Sequence, residues 1–176
     1  AMEWMTRLSN RQPSHSSGMG SRVGIIGCGR WGTNHLRTLN QLKKLGLVSE
    51  IHACDLISSK KTELSGLVDT FSTSWETMVQ TAELDIIAIV TPIGTHYHLA
   101  MQVINHCKVL FIEKPITLTE LEARTIVSRI EKLGGKLLVG HILRFHDLIN
   151  RANKLISQGR IGDLHRVDFS RKTTRP

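Results

Sequence analysis

A glycine-rich segment near the start of the chain has the residue types and spacing of a phosphate-binding turn. Within GCGRWG, its glycines are Gly27, Gly29 and Gly32. An apolar run precedes them at residues 23–26, and residues 31–42 carry apolar side chains at helical spacing. In a strand–turn–helix unit the first glycine permits a tight turn, the second admits a pyrophosphate and the third lets the helix pack on the strand. The helix N-terminus would then hold the anion, with Arg30 and Trp31 beside it, unless the Arg30 side chain faces solvent.

An acidic residue follows at the distance that a dinucleotide site requires. Asp55 lies 23 residues beyond Gly32, at the end of the apolar run 51–54. We expect its carboxylate to accept hydrogen bonds from the hydroxyls of an adenosine ribose. A phosphate about 4 Å from this carboxylate would cost on the order of 4 kcal/mol per unit charge at an effective dielectric of about 20. Asp55 therefore favours NAD over NADP, unless Lys60 and Lys61 turn inward instead of forming a solvated helix face.

Apolar runs and helical segments alternate along the chain, which predicts a doubly wound parallel sheet of the Rossmann-like α/β class. The predicted strands are residues 22–26, 48–54, 86–90, 109–112 and 136–139, with a short edge strand near 70–72. The predicted helices include residues 31–44, 96–106 and 119–133, the last beginning with a capping box at Thr119 and Glu122. Right-handed crossovers give the strand order 3-2-1-4-5-6, with a crevice between strands one and four.

The predicted topology brings three loops together at one edge of the sheet. These loops follow strands one, four and five, because the carboxyl ends of parallel strands share an edge. The second loop contains TPIGTH, with Thr91, Pro92 and His96, and the third contains Glu113, Lys114 and Pro115. We expect all three loops to face a cofactor, with Glu113 and Lys114 among the residues that bind it.

Composition narrows the possible functions. The 176 residues are 40% hydrophobic, which suffices for one sizeable core, and the apolar runs are far shorter than the roughly 20 residues of a membrane span. The net charge of +8 is concentrated at the ends, since residues 23–140 hold 12 basic and 11 acidic side chains. We expect no nucleic-acid partner, because no aromatic interleaving or binding module accompanies the basic residues after 140. Binding through those residues is kept only as a third hypothesis.

Cysteine and histidine usage predicts a reducing compartment and no metal. The three cysteines form no CxxC pair, which argues against a disulfide framework and favours the cytoplasm. The histidine pairs lack the spacing and carboxylates of a zinc site, so we expect no bound catalytic metal. There is also no nucleophile elbow and no Walker loop.

The sequence divides into three parts. Residues 1–21 are rich in serine and lack the apolar core of a secretion signal, so they are expected to be a disordered leader or a cloning remnant. Residues 22–141 form the predicted dinucleotide-binding domain. Residues 142–176 are expected to hold a linking helix at 144–157 and a strand at 161–170, the opening of a second α+β domain that is otherwise missing from the chain.

The ordered set of GCGRWG, TPIGTH, EKP and GHILRF resembles the Gfo/Idh/MocA oxidoreductases from about residue 22 to residue 171. Within that family GHILRFHD is most similar to the sugar-nucleotide 3-dehydrogenase branch. The resemblance implies hydride transfer between a nicotinamide dinucleotide and a sugar, sugar-nucleotide or polyol hydroxyl. It also implies a second domain that completes the substrate site and forms a homo-oligomer, so turnover by these 176 residues alone is not expected.

The resemblance also assigns roles to residues of the crevice. Lys114 would lie near the reacting hydroxyl and stabilise, or donate a proton to, the alkoxide that forms there, with Glu113 orienting it. His96 would pack on the cofactor or bond its oxygens, and Arg144, together with His141, could reach the same crevice and bind an anionic group. The plain alternatives are a surface lysine and a structural histidine. A stand-alone regulatory module that binds a dinucleotide without turnover remains the alternative function.

Overall fold

Six parallel strands form one sheet in the order that the sequence predicts. The computed structural model describes residues 20–168 and residue 170. The strands are β1 (Ser21–Ile26), β2 (Val48–Cys54), β3 (Thr70–Ser72), β4 (Ile86–Ile89), β5 (Val109–Ile112) and β6 (Lys136–Val139). Their order is β3-β2-β1-β4-β5-β6, and every neighbouring pair is parallel. The prediction of a doubly wound Rossmann-like sheet is therefore confirmed.

Helices occupy the crossovers between the strands. They are α1 (Arg30–Lys44), α2 (Lys60–Glu63), α3 (Trp75–Thr81), α4 (His96–Val103), α5 (Glu120–Lys132) and α6 (Asp147–Ser157). The helix predicted over residues 96–106 is α-helical as far as Val103 and ends in a 3₁₀ turn at Ile104–His106. The capping box of α5 is present as predicted, with the hydroxyl of Thr119 accepting from the Glu122 backbone N–H and the Glu122 carboxylate accepting from that of Thr119.

Each face of the sheet packs on its own apolar core, which is why the strands read as nearly continuous apolar runs. Along β1 the side chains alternate between the two faces: Val23 and Ile25 join one core with Leu36 of α1, and Ile26 joins the other with Ile126 of α5. From β1 the chain adds β2 and β3 on one side of the sheet, and from β4 it adds β5 and β6 on the other side. The direction of the strand order therefore reverses between β1 and β4, and the loops that follow these two strands flank the resulting crevice.

The described residues divide into two compact units, of which the sheet and its helices up to Gly140 are one. In the other, a short 3₁₀ turn at Ile142–Phe145 precedes α6. The strand expected over residues 161–170 is not formed in the described part of that range, residues 161–168 and 170. A strand needs a partner for its backbone hydrogen bonds, and Leu164 and Val167 remain 50% and 67% exposed. The predicted leader lies outside the described residues except for Gly20 and Ser21, and Ser21 already belongs to β1.

Candidate functional site

The glycine turn has the geometry that its spacing predicts, with a different constraint at each glycine. Gly27 has φ +95°, and a Cβ there would lie 2.6 Å from the Val90 carbonyl oxygen. A Cβ on Gly32 would lie only 2.0 Å from the Gly27 carbonyl oxygen, so helix and turn pack too closely for a side chain. A Cβ on Gly29 would meet nothing within 4 Å. Gly27 and Gly32 therefore shape the turn, whereas Gly29 leaves space above its backbone.

The N-terminus of α1 offers backbone donors to that space. Gly29 is the N-cap, and within the described residues no side chain caps this end and no acidic residue lies in the first turn. The side chains of Arg30 and Trp31 are exposed, Trp31 by 52%. Unpaired N–H groups and the positive end of the helix dipole favour an anion here. The turn thus has the donors that an anion such as a diphosphate requires, and Arg30 and Trp31 lie beside these donors at the start of the helix.

Asp55 lies directly against the glycine turn. Its Oδ2 accepts a hydrogen bond from the backbone N–H of Cys28 at 2.7 Å, and its Oδ1 accepts from the backbone N–H of Ile57 at 2.9 Å. The carboxylate is partly exposed, so it keeps lone pairs for a ligand. Lys60 does not neutralise it by pairing, because its Nζ bonds Oε2 of Glu63 at 2.5 Å. That hydrogen bond, with a smaller contribution from the Asp55 charge, raises the pKa of Lys60.

The loop after β5 holds Lys114 through its backbone. Glu113 is buried, and its Oε2 accepts a hydrogen bond from the Lys114 backbone N–H at 2.8 Å. The Lys114–Pro115 peptide bond is cis, and the Lys114 side chain is exposed. Because Glu113 uses an oxygen on the backbone of its neighbour, it sets the direction of the chain at Lys114. The side chain of Lys114 is free to reach a ligand.

His35 contacts this loop and was not expected from the sequence. Its Nε2 lies 2.9 Å from Oε1 of Glu113, and its ring lies edge-on to Phe111 with centroids 5.2 Å apart. His35 and Glu113 are 78 positions apart in the sequence. One signal was available, since His35 stands three residues after Gly32 and next to Leu36 on the sheet-facing side of α1. That spacing indicates an inward side chain but does not identify its partner.

His96 begins α4 as predicted, and its ring contacts favour the structural one of its two predicted roles. It is 1% exposed, with Nε2 2.8 Å from the Thr91 carbonyl oxygen and Nδ1 3.0 Å and 3.2 Å from those of Pro115 and Ile116. Both ring nitrogens face backbone oxygens, so His96 ties the TPIGTH loop to the loop of Lys114. A contact between His96 and a cofactor stays a prediction.

Thr91 and Pro92 lie where the topology places them. Thr91 is against the glycine turn, because its Cγ2 would be 2.8 Å from a Cβ on Gly27. Its hydroxyl accepts a hydrogen bond from the Thr95 hydroxyl at 2.7 Å, and Pro92 is exposed. The loops after β1, β4 and β5 are thus in contact through named side chains. Arg144 and His141 are exposed residues of the second unit, and their part in the crevice stays a prediction.

Two buried thiols line the underside of the turn. Cys28 is fully buried, and its Sγ donates a weak hydrogen bond to the Cys54 carbonyl oxygen at 3.6 Å. Burial, reinforced by the Asp55 charge, raises the pKa of Cys28 to about 12, and the same two causes raise that of Cys54 to about 11. Both thiols therefore stay protonated and unreactive at neutral pH.

The described residues include no group of three histidine, cysteine, aspartate or glutamate side chains placed to hold a metal ion. They also include no helix with the length and apolar content of a membrane span.

Comparison with known proteins places this geometry among oxidoreductases. Residues 21–141 match the GFO_IDH_MocA family model, described as an oxidoreductase family with an NAD-binding Rossmann fold. Inositol 2-dehydrogenase of Rhizobium meliloti is 27% identical over 85% of the chain and 44% of its own length. UDP-N-acetylglucosamine 3-dehydrogenase of Acidithiobacillus ferrooxidans is 31% identical over 73% of the chain and 39% of its length.

A solved structure supports the same assignment. Scyllo-inositol dehydrogenase from Lactobacillus casei, with bound cofactor NAD(H) and scyllo-inositol, superposes with a TM-score of 0.74 at 28% identity, covering 82% of this chain and 43% of that one. The chain therefore spans less than half the length of these relatives.

Proposed function

Because the chain belongs to the Gfo/Idh/MocA oxidoreductase family, through its match over residues 21–141, we propose that it supplies the cofactor-binding portion of an NAD-dependent dehydrogenase. The reaction is hydride transfer between a nicotinamide cofactor and the hydroxyl-bearing carbon of a sugar, sugar nucleotide or polyol. The proposal rests on the open space above Gly29. The turn that borders this space contacts the loop of Thr91, and His96 joins that loop to the loop of Lys114. This space can hold a diphosphate, which any side chain at position 29 would obstruct.

Each part of the site has a task in this proposal. The first-turn amides of α1 bind the diphosphate, and Arg30 lies along it. Asp55, held by the Cys28 N–H, accepts from the adenosine ribose hydroxyls. When bound, a nicotinamide dinucleotide supplies the hydride acceptor. Thr91 and Pro92 line its nicotinamide side, while His96 holds their loop in place.

Lys114 acts at the substrate oxygen. In the oxidation direction the carbinol C–H bond breaks with its electron pair leaving as hydride to the nicotinamide, and the hydroxyl proton passes to Nζ of Lys114 as the carbonyl forms. In the reverse direction Lys114 stabilises the negative charge that develops on that oxygen and returns the proton to it. Glu113 contributes by fixing the backbone at Lys114, through the 2.8 Å bond to its N–H.

Asp55 supports NAD over NADP. A 2′-phosphate about 4 Å from its carboxylate would lose on the order of 4 kcal/mol per unit charge, roughly a thousandfold in affinity. Lys60 is engaged by Glu63, and Lys61 is exposed, so neither offsets this repulsion.

The relatives support the substrate class, and the cysteines support the compartment. They are named for inositols and for a UDP-sugar, which are polyhydroxylated substrates. All three cysteines are free thiols, in keeping with a reducing compartment such as the cytoplasm. Homo-oligomerisation is part of the proposal through the family resemblance alone.

Equilibrium binding of NADH tests the proposal. Trp31 lies beside the turn and is exposed, so NADH should quench its emission and gain fluorescence by energy transfer. We expect saturable binding, with NADPH bound more weakly. Replacing Trp31 with Phe should remove most of the transfer and leave the binding of NADH detectable by its own emission. A folded chain that binds neither dinucleotide would overturn the assignment of the site.

A further inference from the structure

The carboxylate of Glu113 lies where three elements meet, and these elements largely enclose it. Its side chain is only 12% exposed, and both oxygens are used: Oε1 lies 2.9 Å from His35 Nε2 and Oε2 accepts from the Lys114 backbone N–H at 2.8 Å. The end of β6 closes the third side, because a Cβ on Gly140 would lie 2.8 Å from Oε2. A side chain at position 140 would therefore displace the carboxylate.

The His35 ring is held in the orientation that this contact needs. Its edge-on packing against Phe111, at 67° between the ring planes, fixes the imidazole against β5 while Nε2 points at Glu113. His35 lies in the second turn of α1, whose first turn is the proposed diphosphate site. A helix is stiff over this distance, so the contact links the position of the glycine turn to that of Glu113.

We propose that His35 is a positioning residue for Lys114, acting through Glu113. The Nε2–Oε1 contact holds the carboxylate, and the carboxylate holds the Lys114 backbone N–H, so the α1 helix and the lysine keep a fixed relative position. His96 holds the other side of the same loop through the Pro115 and Ile116 carbonyls. The backbone of Lys114 is thus bracketed by two histidines from two different helices. The role of His35 in binding rests on the proposed function.

Amide hydrogen exchange in the ligand-free chain tests the first half of this inference. The variant H35F keeps a ring against Phe111 and loses the nitrogen, whereas H35Q offers an amide nitrogen at a similar reach. We expect exchange at the Lys114 N–H to accelerate about tenfold or more in H35F, because a charge-assisted bond that fixes its acceptor is lost, and to recover to within about threefold of the parent in H35Q.

Two controls separate this effect from general destabilisation. Exchange at the Ile25 N–H in the central strand should stay unchanged in H35F, and Q41A, at an exposed position of α1, should change neither amide. Should H35F fail to fold, H35N removes the contact with a shorter polar side chain. Unchanged exchange at Lys114, or equal acceleration at Ile25 and Lys114, would overturn the positioning role.

A double-mutant cycle with K114A tests the consequence for binding. We expect H35F to weaken NADH binding about fivefold in the parent and by less than about twofold in K114A, since His35 then has no lysine to position. Equal weakening in both backgrounds would show that His35 acts independently of Lys114. A parent chain that binds no NADH would refute the proposed function, while the exchange experiment would still decide whether His35 holds this loop.

Discussion

Replacing Gly29 with alanine tests the role of the glycine turn in ligand binding separately from its role in stability. Gly29 has φ −67° and ψ −163°, which an L-alanine adopts without strain, and a Cβ there meets no atom within 4 Å. Alanine is a poorer N-cap than glycine by about 0.5–1 kcal/mol, and it restricts the unfolded chain by a similar amount. The free energy of unfolding of G29A should therefore stay within about 0.5 kcal/mol of the parent.

Binding should respond very differently. The methyl group projects into the space assigned to the diphosphate and prevents its approach to the first-turn amides. Loss of one charge-assisted hydrogen bond, at about 2 kcal/mol, corresponds to about thirtyfold in Kd for NADH. Titration of NADH into G29A and the parent measures this ratio, and chemical denaturation measures the stability of both.

The neighbouring glycine supplies the contrasting variant. In G32A the new Cβ would lie 2.0 Å from the Gly27 carbonyl oxygen, so α1 must move and stability must fall. The expected pattern is a folded G29A that binds poorly and a G32A that unfolds more easily. If G29A bound NADH as tightly as the parent chain, the diphosphate would not lie over this turn.

Three further predictions follow from the same contacts. D55N keeps an oxygen acceptor for the Cys28 N–H and loses the charge, so the NADH-over-NADPH ratio of affinities should fall at least about tenfold at low salt, and an unchanged ratio would remove Asp55 from cofactor selection. Folded Cys28 should resist iodoacetamide at pH 9, where an unfolded thiol is about three-quarters ionised, and rapid alkylation of folded protein at pH 9 would contradict this. Because the native chain retains this proton up to about pH 12, the free energy of unfolding should decline as pH rises from 9 to 12. H96A removes the partner of partly buried carbonyl oxygens and leaves a cavity in place of the buried ring, which should cost about 3 kcal/mol in denaturant unfolding, whereas a loss below about 0.5 kcal/mol would show that His96 does not join the two loops.

The sheet and its order could be predicted because they follow from periodic features of the sequence. Apolar runs of strand length alternate with helical spacing, and the glycine turn identifies which strand is first at the crevice. The cap of α5 was equally accessible, since Thr119 and Glu122 act within one turn of the chain. Local rules and the handedness of crossovers suffice for such features.

The side-chain contacts of the site depend on distances that no local pattern encodes. His35 and Glu113 meet only because β1 and β5 flank β4 in the sheet and α1 packs on the same core as Phe111 of β5. A rotation of α1 by one residue about its axis would separate the two side chains. For His96 the sequence left a cofactor contact and a structural role open, because no local pattern reveals that the Pro115 and Ile116 carbonyl oxygens lie against its ring. The expected strand at 161–170 is not formed in the described residues because alternation alone gives no ladder partner.

Amide chemical-shift mapping during a titration of the ¹⁵N-labelled chain with NADH tests the central claim most directly. The account predicts that the amides of Gly29 and Arg30 at the turn and of Lys114 on the β5 loop shift together with one Kd, while Ser128 on the outer part of α5 stays unchanged. Shifts confined to other surfaces, or shifts at the turn with none at Lys114, would contradict a single dinucleotide site formed by these two loops.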